Sequence, residues 1–338
     1  MAKTFLVEAA LGHGCGATRR FISEEIAPRL YDPTHNTLED GAFIEIGGAD
    51  LVVTADSYVV DPPIFTGGDI GRLAVSGTVN DLVASGATPR YLTLGLVVAE
   101  GFPMEDLYQV LDSIASTAKE ADVRVVAGDT KVAGSTSDLG ICLHTSGIGS
   151  ALEKRYGLAD ASQGDVVIVT GYIGDHGFAV LSQREGLGFE RRIGSDVAPL
   201  GNLILPLLGF NDGIHALRDP TRGGLLGVLH DIVDVTGCNL RLDVDRVPVR
   251  HEVRMGCDML GLDPLDLVNE GKMVLVVQSN KAASVLAQLR QHPLGRQATV
   301  VGFLGRGSTY AGQVISVSND GCERVMVRSE GLPIPRLC

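Results

Sequence analysis

The chain is predicted to be a two-domain α/β protein, on three observations. Its 338 residues are more than one ordinary core fills. Apolar stretches of strand length alternate with stretches of helical periodicity along both halves. The alternation restarts near Gly164, which puts a boundary within 150–163.

Taken in order, Leu51–Ala55 reads as a strand, and Gly67-Gly68 opens a helix through Ile70, Leu73, Ala74, Val79, Leu82 and Val83. Tyr91–Val98 reads as a strand. Leu107, Val110, Leu111, Ile114 and Ala118 mark an amphipathic helix. Val123–Ala127 is expected to be a short strand ending in a loop, Gly128-Asp129-Thr130-Lys131, before a strand over Leu139–Ile148. In the second half, Asp165–Gly171 leaves a strand into a glycine-rich turn. Helices are expected near 174–186, 200–211 and 223–236, then a buried strand Met273–Val277, a helix Lys281–Gln291 and a strand Ala298–Phe303. The end, Gly331 to Cys338, carries Pro333 and Pro335 and is expected to be extended. The expected division is 1–155, 156–310 and a last piece 311–338 of strands and tail.

The net charge of −13 disfavours a nucleic-acid surface. The apolar runs are broken by charge or glycine, so no membrane span is expected. The first residues lack the pattern of a secretory signal, and a cytoplasmic location is expected. The six cysteines include no Cys-x-x-Cys pair, which argues against a zinc ribbon or a dithiol redox motif.

The chemistry-bearing signal is a set of aspartates at strand ends and helix starts: Asp40, Asp56, Asp69, Asp81, Asp129 and Asp219. Each alone reads as a helix cap or turn former. Together, carboxylates on loops of different strands can converge on Mg²⁺, a hard, oxygen-seeking ion shared with substrate phosphates. Asp81 is the sharpest, because it sits mid-helix between Val79, Leu82 and Val83, and a buried acid there needs a partner. The turns Gly12–Gly16, Gly67-Gly68-Asp69, Gly128–Lys131 and Gly223-Gly224 offer bare N–H groups to phosphate. None matches a P-loop or a dinucleotide fingerprint. Lys131 is suited to steadying transferring phosphoryl charge. Glu270, beside an apolar strand, is suited to act as a base. Both also read as ordinary surface ion-pair members. Cys338, a terminal thiol, can serve as an acyl acceptor on a swinging arm. It is not a prenylation box, which needs three residues after the cysteine.

The stretch from Asp56 to Leu82 (DSYVVDPPIFTGGDIGRLAVSGTVNDL), together with Gly128–Val132, Asp219–Gly224, Asn269-Glu270-Gly271 and the Pro335-Arg336-Leu337-Cys338 ending, resembles the HypE family of hydrogenase maturation factors. The motif order is kept over nearly the whole chain. This family belongs to the superfamily of aminoimidazole ribotide synthetase, selenophosphate synthetase and thiamine-monophosphate kinase. The resemblance implies an N-terminal domain that pairs with its twin through strands, an ATP site at that dimer interface and a C-terminal α/β sandwich. The implied reaction turns a carboxamide on the sulfur of Cys338 into a thiocyanate at the expense of ATP, supplying cyanide for the iron of [NiFe]-hydrogenase. By the same resemblance, Mg²⁺ falls to Asp40, Asp56, Asp81, Asp129 and Asp219. Nucleotide contacts fall to Gly67, Gly68, Asp69, Asn80, Gly128 and Thr130. Glu270 is the candidate base. Lys131 steadies phosphoryl charge or shares in proton transfer, and these two remain open. Implied partners are a second copy of the chain, the carbamoyltransferase HypF as donor and a HypC–HypD complex as acceptor. One departure stands in the N-terminal loop: His13-Gly14-Cys15-Gly16-Ala17 replaces the family's His-Gly-Ser-Gly-Gly.

A selenophosphate synthetase-like phosphoryl transfer is the alternative within the same superfamily. That chemistry needs an early cysteine near a lysine. Cys15 has only Arg19 and Arg20 nearby, and the cysteine ending would have no purpose. A non-enzymatic scaffold would not require the acidic set with Lys131 and Glu270.

Overall fold

A computed structural model describes residue 11 and residues 16–30, 39–134, 140–187, 193–209, 213–305 and 312–329. Two short helices, α1 (Gly16–Arg20) and α2 (Ala27–Leu30), flank a π-helical turn at Phe21–Ile26. The N-terminal unit then runs β1 (Ala42–Ile46), β2 (Ala49–Tyr58), β3 (Ile64–Phe65), β4 (Gly68–Asp69), α3 (Ile70–Ala84), β5 (Ala87–Ala99), α4 (Met104–Glu120), β6 (Arg124–Ala133) and β7 (Ile141–Ala151). Its sheet has the order β1-β2-β7-β5-β6. All pairings are antiparallel except β5 with β6, which α4 links as a crossover.

Helix α3 lies across this sheet and is buried nearly all round, which its apolar and small residues allow. Two glycines permit the close approach. A Cβ on Gly77 would stand 2.4 Å from the Tyr58 hydroxyl of β2, and one on Gly147 of β7 would stand 2.7 Å from Thr78. Asp69 starts the helix by accepting from the N–H groups of Gly71 (2.8 Å) and Arg72 (3.0 Å). Helix α4 buries Val110, Ile114, Thr117 and Ala118 and leaves Leu111 outside that stripe.

The second unit contains β8 (Val166–Val169), α5 (Asp175–Arg184), α6 (Gly201–Leu208), β9 (Ile214–Arg218), α7 (Gly224–Thr236), β10 (Asn239–Asp243), α8 (His251–Leu260), β11 (Val274–Val277), α9 (Ala282–Leu289), β12 (Thr299–Gly305), β13 (Val314–Val317) and β14 (Glu323–Met326). Its seven strands have the order β14-β13-β10-β12-β8-β11-β9. Strands β8 and β11 are apolar at every position because both faces are covered. Val167, Val169, Val274 and Val276 pack with Leu225, Leu229 and Ile232 of α7. Ile168, Leu275 and Val277 join a core that continues through α6 and α9 to α3 of the first unit. The two units therefore share one apolar core. No helix among the described residues is long and apolar enough to cross a membrane.

The strand–helix alternation read from the sequence yields mostly antiparallel sheets. One expectation fails outright: Gly128–Lys131 is not a loop but the middle of β6, because β5 continues alongside and pairs residue by residue to Ala99 opposite Ala133. Strands β1, β9 and β10 and helix α8 go beyond the elements expected above, although α8 buries Val253 and Cys257 on one face and β10 alternates Leu240 and Leu242 with Arg241 and Asp243.

The cap on α3 can be tested directly. Asp69→Ala is expected to lower the unfolding free energy by about 1 kcal/mol in urea denaturation, and Asp69→Asn to restore most of it. An Asp69→Ala chain as stable as the parent would remove the capping role.

Candidate active site

Four of the aspartates singled out in the sequence converge where the two units meet. Asp40 lies two residues before the start of β1, Asp56 lies in β2, Asp81 in the last turn of α3, and Asp219 follows β9. Carboxylate oxygens of Asp40, Asp81 and Asp219 lie within 4.8 Å of one another. Thr54, two residues before Asp56 on the same face of β2, places its hydroxyl 2.9 Å from an Asp81 carboxyl oxygen and 2.8 Å from the carbonyl of Asp40, with one proton to donate between them. Tyr58, two residues further on, donates to Asp56 (3.2 Å). The period of two in β2 thus aims three polar side chains at one spot beneath α3.

Burial raises all three clustered carboxyls, and their neighbours raise them further. Asp40 is pushed up to about 6, with Arg218 opposing and Glu39 adding to the shift. Asp219 rises to about 8, through burial and then Asp40, with Arg218 opposing. Asp81 rises well above the carboxylate range through burial, Asp56 and Asp219. Such a group cannot all be ionised without a cation beside it. The oxygen-only donor set suits a hard divalent ion such as Mg²⁺ rather than a thiophilic or imidazole-seeking metal. Two arginines hold the rim. Arg218 pairs with Glu39 (2.7 Å) and Asp40 (3.0 Å), and Arg222 with Asp56 (3.2 Å). Neither was assigned a role from the sequence. Their signal is that they bracket Asp219 in Arg218-Asp219-Pro220-Thr221-Arg222.

Glu270 approaches from the second unit on a tightly held loop. Asn269 accepts from Gly174 N–H (2.7 Å) and donates to the carbonyls of Pro220 (3.1 Å) and Leu267 (2.9 Å). A Cβ on Gly271 would stand 1.8 Å from the carbonyl of Asp196, so only glycine fits. The buried Lys272–Asp196 pair (3.0 Å) closes the loop. Glu270 is itself buried, and burial with Asp219, Asp196 and Asp56 nearby keeps its carboxyl well above the usual range, against the pull of Arg222.

Other predicted residues lie elsewhere. The sheet register places Asp129 opposite Gly95, then His144, then Ser57. That row faces away from the row of Asp56, because a one-residue offset flips the face. Asp129 is also three strands, roughly 14 Å, from β2. It is therefore absent from its own chain's cluster. It is exposed and pairs with Lys131 at 2.7 Å, and this contact holds its carboxyl below the usual range. Gly128 and Thr130 lie on the same strand, facing the α4 side. Asn80 is buried, and its amide is taken by protein backbone: it donates to Ala198 O (3.1 Å) and Glu270 O (3.4 Å) and accepts from Leu200 N–H (2.8 Å). Its role here is to tie α3 to the Glu270 loop. Gly67 has φ +93° and abuts the backbone of Ser195, Gly68 pairs in β4, and Asp69 caps α3. Cys338 and Cys15 lie outside the described residues.

The raised carboxyls have a pH signature. Between about pH 4 and pH 8 the folded chain keeps a proton on Asp219 that the unfolded chain releases, so its stability falls as pH rises through this window. In metal-free buffer the parent's urea midpoint is expected to fall relative to that of Asp219→Asn between pH 5 and pH 8. Parallel profiles would contradict the crowding.

Two domain families match the chain: AIR synthase related protein, N-terminal domain, over residues 38–151, and AIR synthase related protein, C-terminal domain, over 162–315. The chain is 38% identical to carbamoyl dehydratase HypE of Escherichia coli (strain K12) over 98% of its length and 99% of that protein's. A crystal structure of a HypE–HypF complex superposes with a TM-score of 0.86 at 40% identity, over 91% of this chain and 99% of that one. A HypE structure in complex with ATP superposes with a TM-score of 0.82 at 40% identity, over 97% and 99%. With the acidic cluster, the Glu270 loop and both domains in place over this span, the chain belongs to the HypE family of hydrogenase maturation proteins, the carbamoyl dehydratases.

Proposed function

We propose that this chain dehydrates an S-carboxamide on Cys338 to a thiocyanate, using ATP, and so supplies cyanide ligands for [NiFe]-hydrogenase iron. The observation that carries the reading is the junction of Asp40, Asp81 and Asp219 beside a buried Glu270. Asp40, Asp81 and Asp219, with Asp56 adjoining, would hold Mg²⁺, which when bound neutralises phosphate charge. The carboxamide oxygen attacks the γ-phosphorus of ATP, and ADP leaves. One nitrogen proton is lost at that step and a second as phosphate departs from carbon, leaving S–C≡N. Glu270, held off solvent among carboxylates, is a stronger base than a solvated carboxylate and is assigned the nitrogen protons. The selenophosphate reading is disfavoured by the HypE relatives and leaves the Cys338 ending without purpose.

The likeness to the HypE–HypF complex supports HypF as a partner, which we assign as the carbamoyl donor, with a HypC–HypD complex assigned as the acceptor. A homodimer fits the exposed edge strand β6, which shows Val125, Val126 and Val132 and pairs only with β5 among the described residues. Because Asp129 and Lys131 face away from their own acidic cluster, we assign them to a nucleotide site completed by the twin chain.

The assignments separate in single-turnover kinetics on carbamoylated chain. Cys338→Ala is expected to form no transferable product. Glu270→Gln is expected to bind ATP normally but to lose thiocyanate formation. Lys131→Ala is expected to slow phosphoryl transfer by roughly 10²–10³. Wild-type thiocyanate formation in Glu270→Gln would remove it as the base. Dimers mixed from Glu270→Gln and Lys131→Ala chains should regain activity, since one of their two sites has both residues. Mixed dimers as inactive as their parents would contradict the shared site.

A further inference from the structure

Helix α7 begins beside Asp219 and carries Asp231 and Asp234 on one face, three residues apart. Arg328, just beyond β14, spans both: Nη1 meets Asp231 at 2.9 Å and Nη2 meets Asp234 at 2.8 Å. The next residue, Ser329, accepts at its carbonyl from Gly16 N–H at the start of α1 (3.1 Å). Arg19 of α1 pairs with the same Asp231. The other oxygen of Asp231 lies 4.0 Å from Arg218, whose Nε holds Asp40 at 3.0 Å. A short chain of ionic contacts therefore runs from the acidic cluster to the point where the chain enters its last residues.

A mostly buried ion pair such as Arg328–Asp231 (22% and 19% exposed) often stabilises no more than apolar packing would, so stability is an incomplete account of three guanidinium groups drawn to one carboxylate. Placement is a better one. Arg328 presents a rigid fork to two carboxylates, which fixes direction as well as position. Residues 330–338 follow Ser329, the last described residue, which is held at its carbonyl. Nine residues span at most about 30 Å, so the location of their root decides what the terminal thiol can reach.

We propose that Arg328, clamped by Asp231 and Asp234, is a positioning residue that fixes the root of the C-terminal segment beside the acidic cluster and thereby sets the effective concentration of the Cys338 carboxamide at the reacting centre. It touches no substrate. A tethered group reacts in proportion to the fraction of its reach that overlaps the site, and a loosened or redirected root lowers that fraction. The inference rests on the dehydratase reading, and its test separates the two.

The tethered reaction is measured as single-turnover dehydration of carbamoylated Cys338. The untethered reaction is measured in a Cys338→Ala background, with a synthetic peptide of residues 329–338 carrying the S-carboxamide. Arg328→Glu is expected to slow the tethered reaction roughly tenfold while the peptide reaction and ATP affinity stay within about twofold of the parent. The swap Arg328→Glu with Asp234→Arg is expected to recover the tethered rate. A tethered rate unchanged in Arg328→Glu overturns the clamp, as does an equal fall of both reactions. If the parent forms no thiocyanate in either format, the dehydratase reading fails. The clamp then stands or falls on hydrogen exchange at Gly16 N–H, which must quicken in Arg328→Glu and slow again in the swap.

Discussion

Three carboxylates forced within 4.8 Å of one another are the constraint around which this structure is arranged. Buried like charges cost free energy unless a cation or a proton intervenes. The protein nevertheless builds the cluster from three separate places in the chain, and each placement needs support. Helix α3 brings Asp81 down onto the sheet only because Gly77 and Gly147 leave no side chain between them. Strand β2 aims Thr54 and Asp56 at the same face. Asp219 arrives from the second unit, with Arg218 offsetting part of the repulsion on both Asp40 and Asp219.

The division into two units follows the same need. Because the core is continuous from α3 to β8 and β11, the units do not drift apart, and their carboxylates stay in register. Asn80 reinforces this at the polar edge of that core. It is the residue immediately before Asp81, and its amide holds the backbone of Ala198, Leu200 and Glu270. The acid cluster and the base are thus fixed by neighbouring positions of one helix.

Much of this was legible in the sequence. Asp81 is legible as an acid in an apolar helix and Asp40 and Asp219 by their turns, whereas Asp56, expected just past a strand ending at Ala55, lies within β2 because that strand runs on to Tyr58. Asp129 belongs with them by residue type and by resemblance, but sheet register, which sequence does not carry, turns it away from this chain's own cluster. Its neighbours Gly128 and Thr130 looked like loop residues, and only pairing with β5 makes them strand. The resemblance gives Asn80 to the nucleotide, and in the fold its buried amide is held by backbone of the second unit. Arg218 and Arg328 went unassigned because an arginine's partner can lie far along the chain: Glu39 in one case, Asp231 in the other.

The central claim is that carboxylate crowding exists to receive a divalent cation. The direct test is thermal unfolding of the parent and of Asp81→Asn at pH 8, with and without Mg²⁺. Without the ion, Asp81→Asn should be at least as stable as the parent, since it relieves repulsion. With saturating Mg²⁺ the parent's midpoint should rise, by the linkage of binding to folding, while that of the variant should not. Equal responses of the two chains to Mg²⁺ would contradict the account.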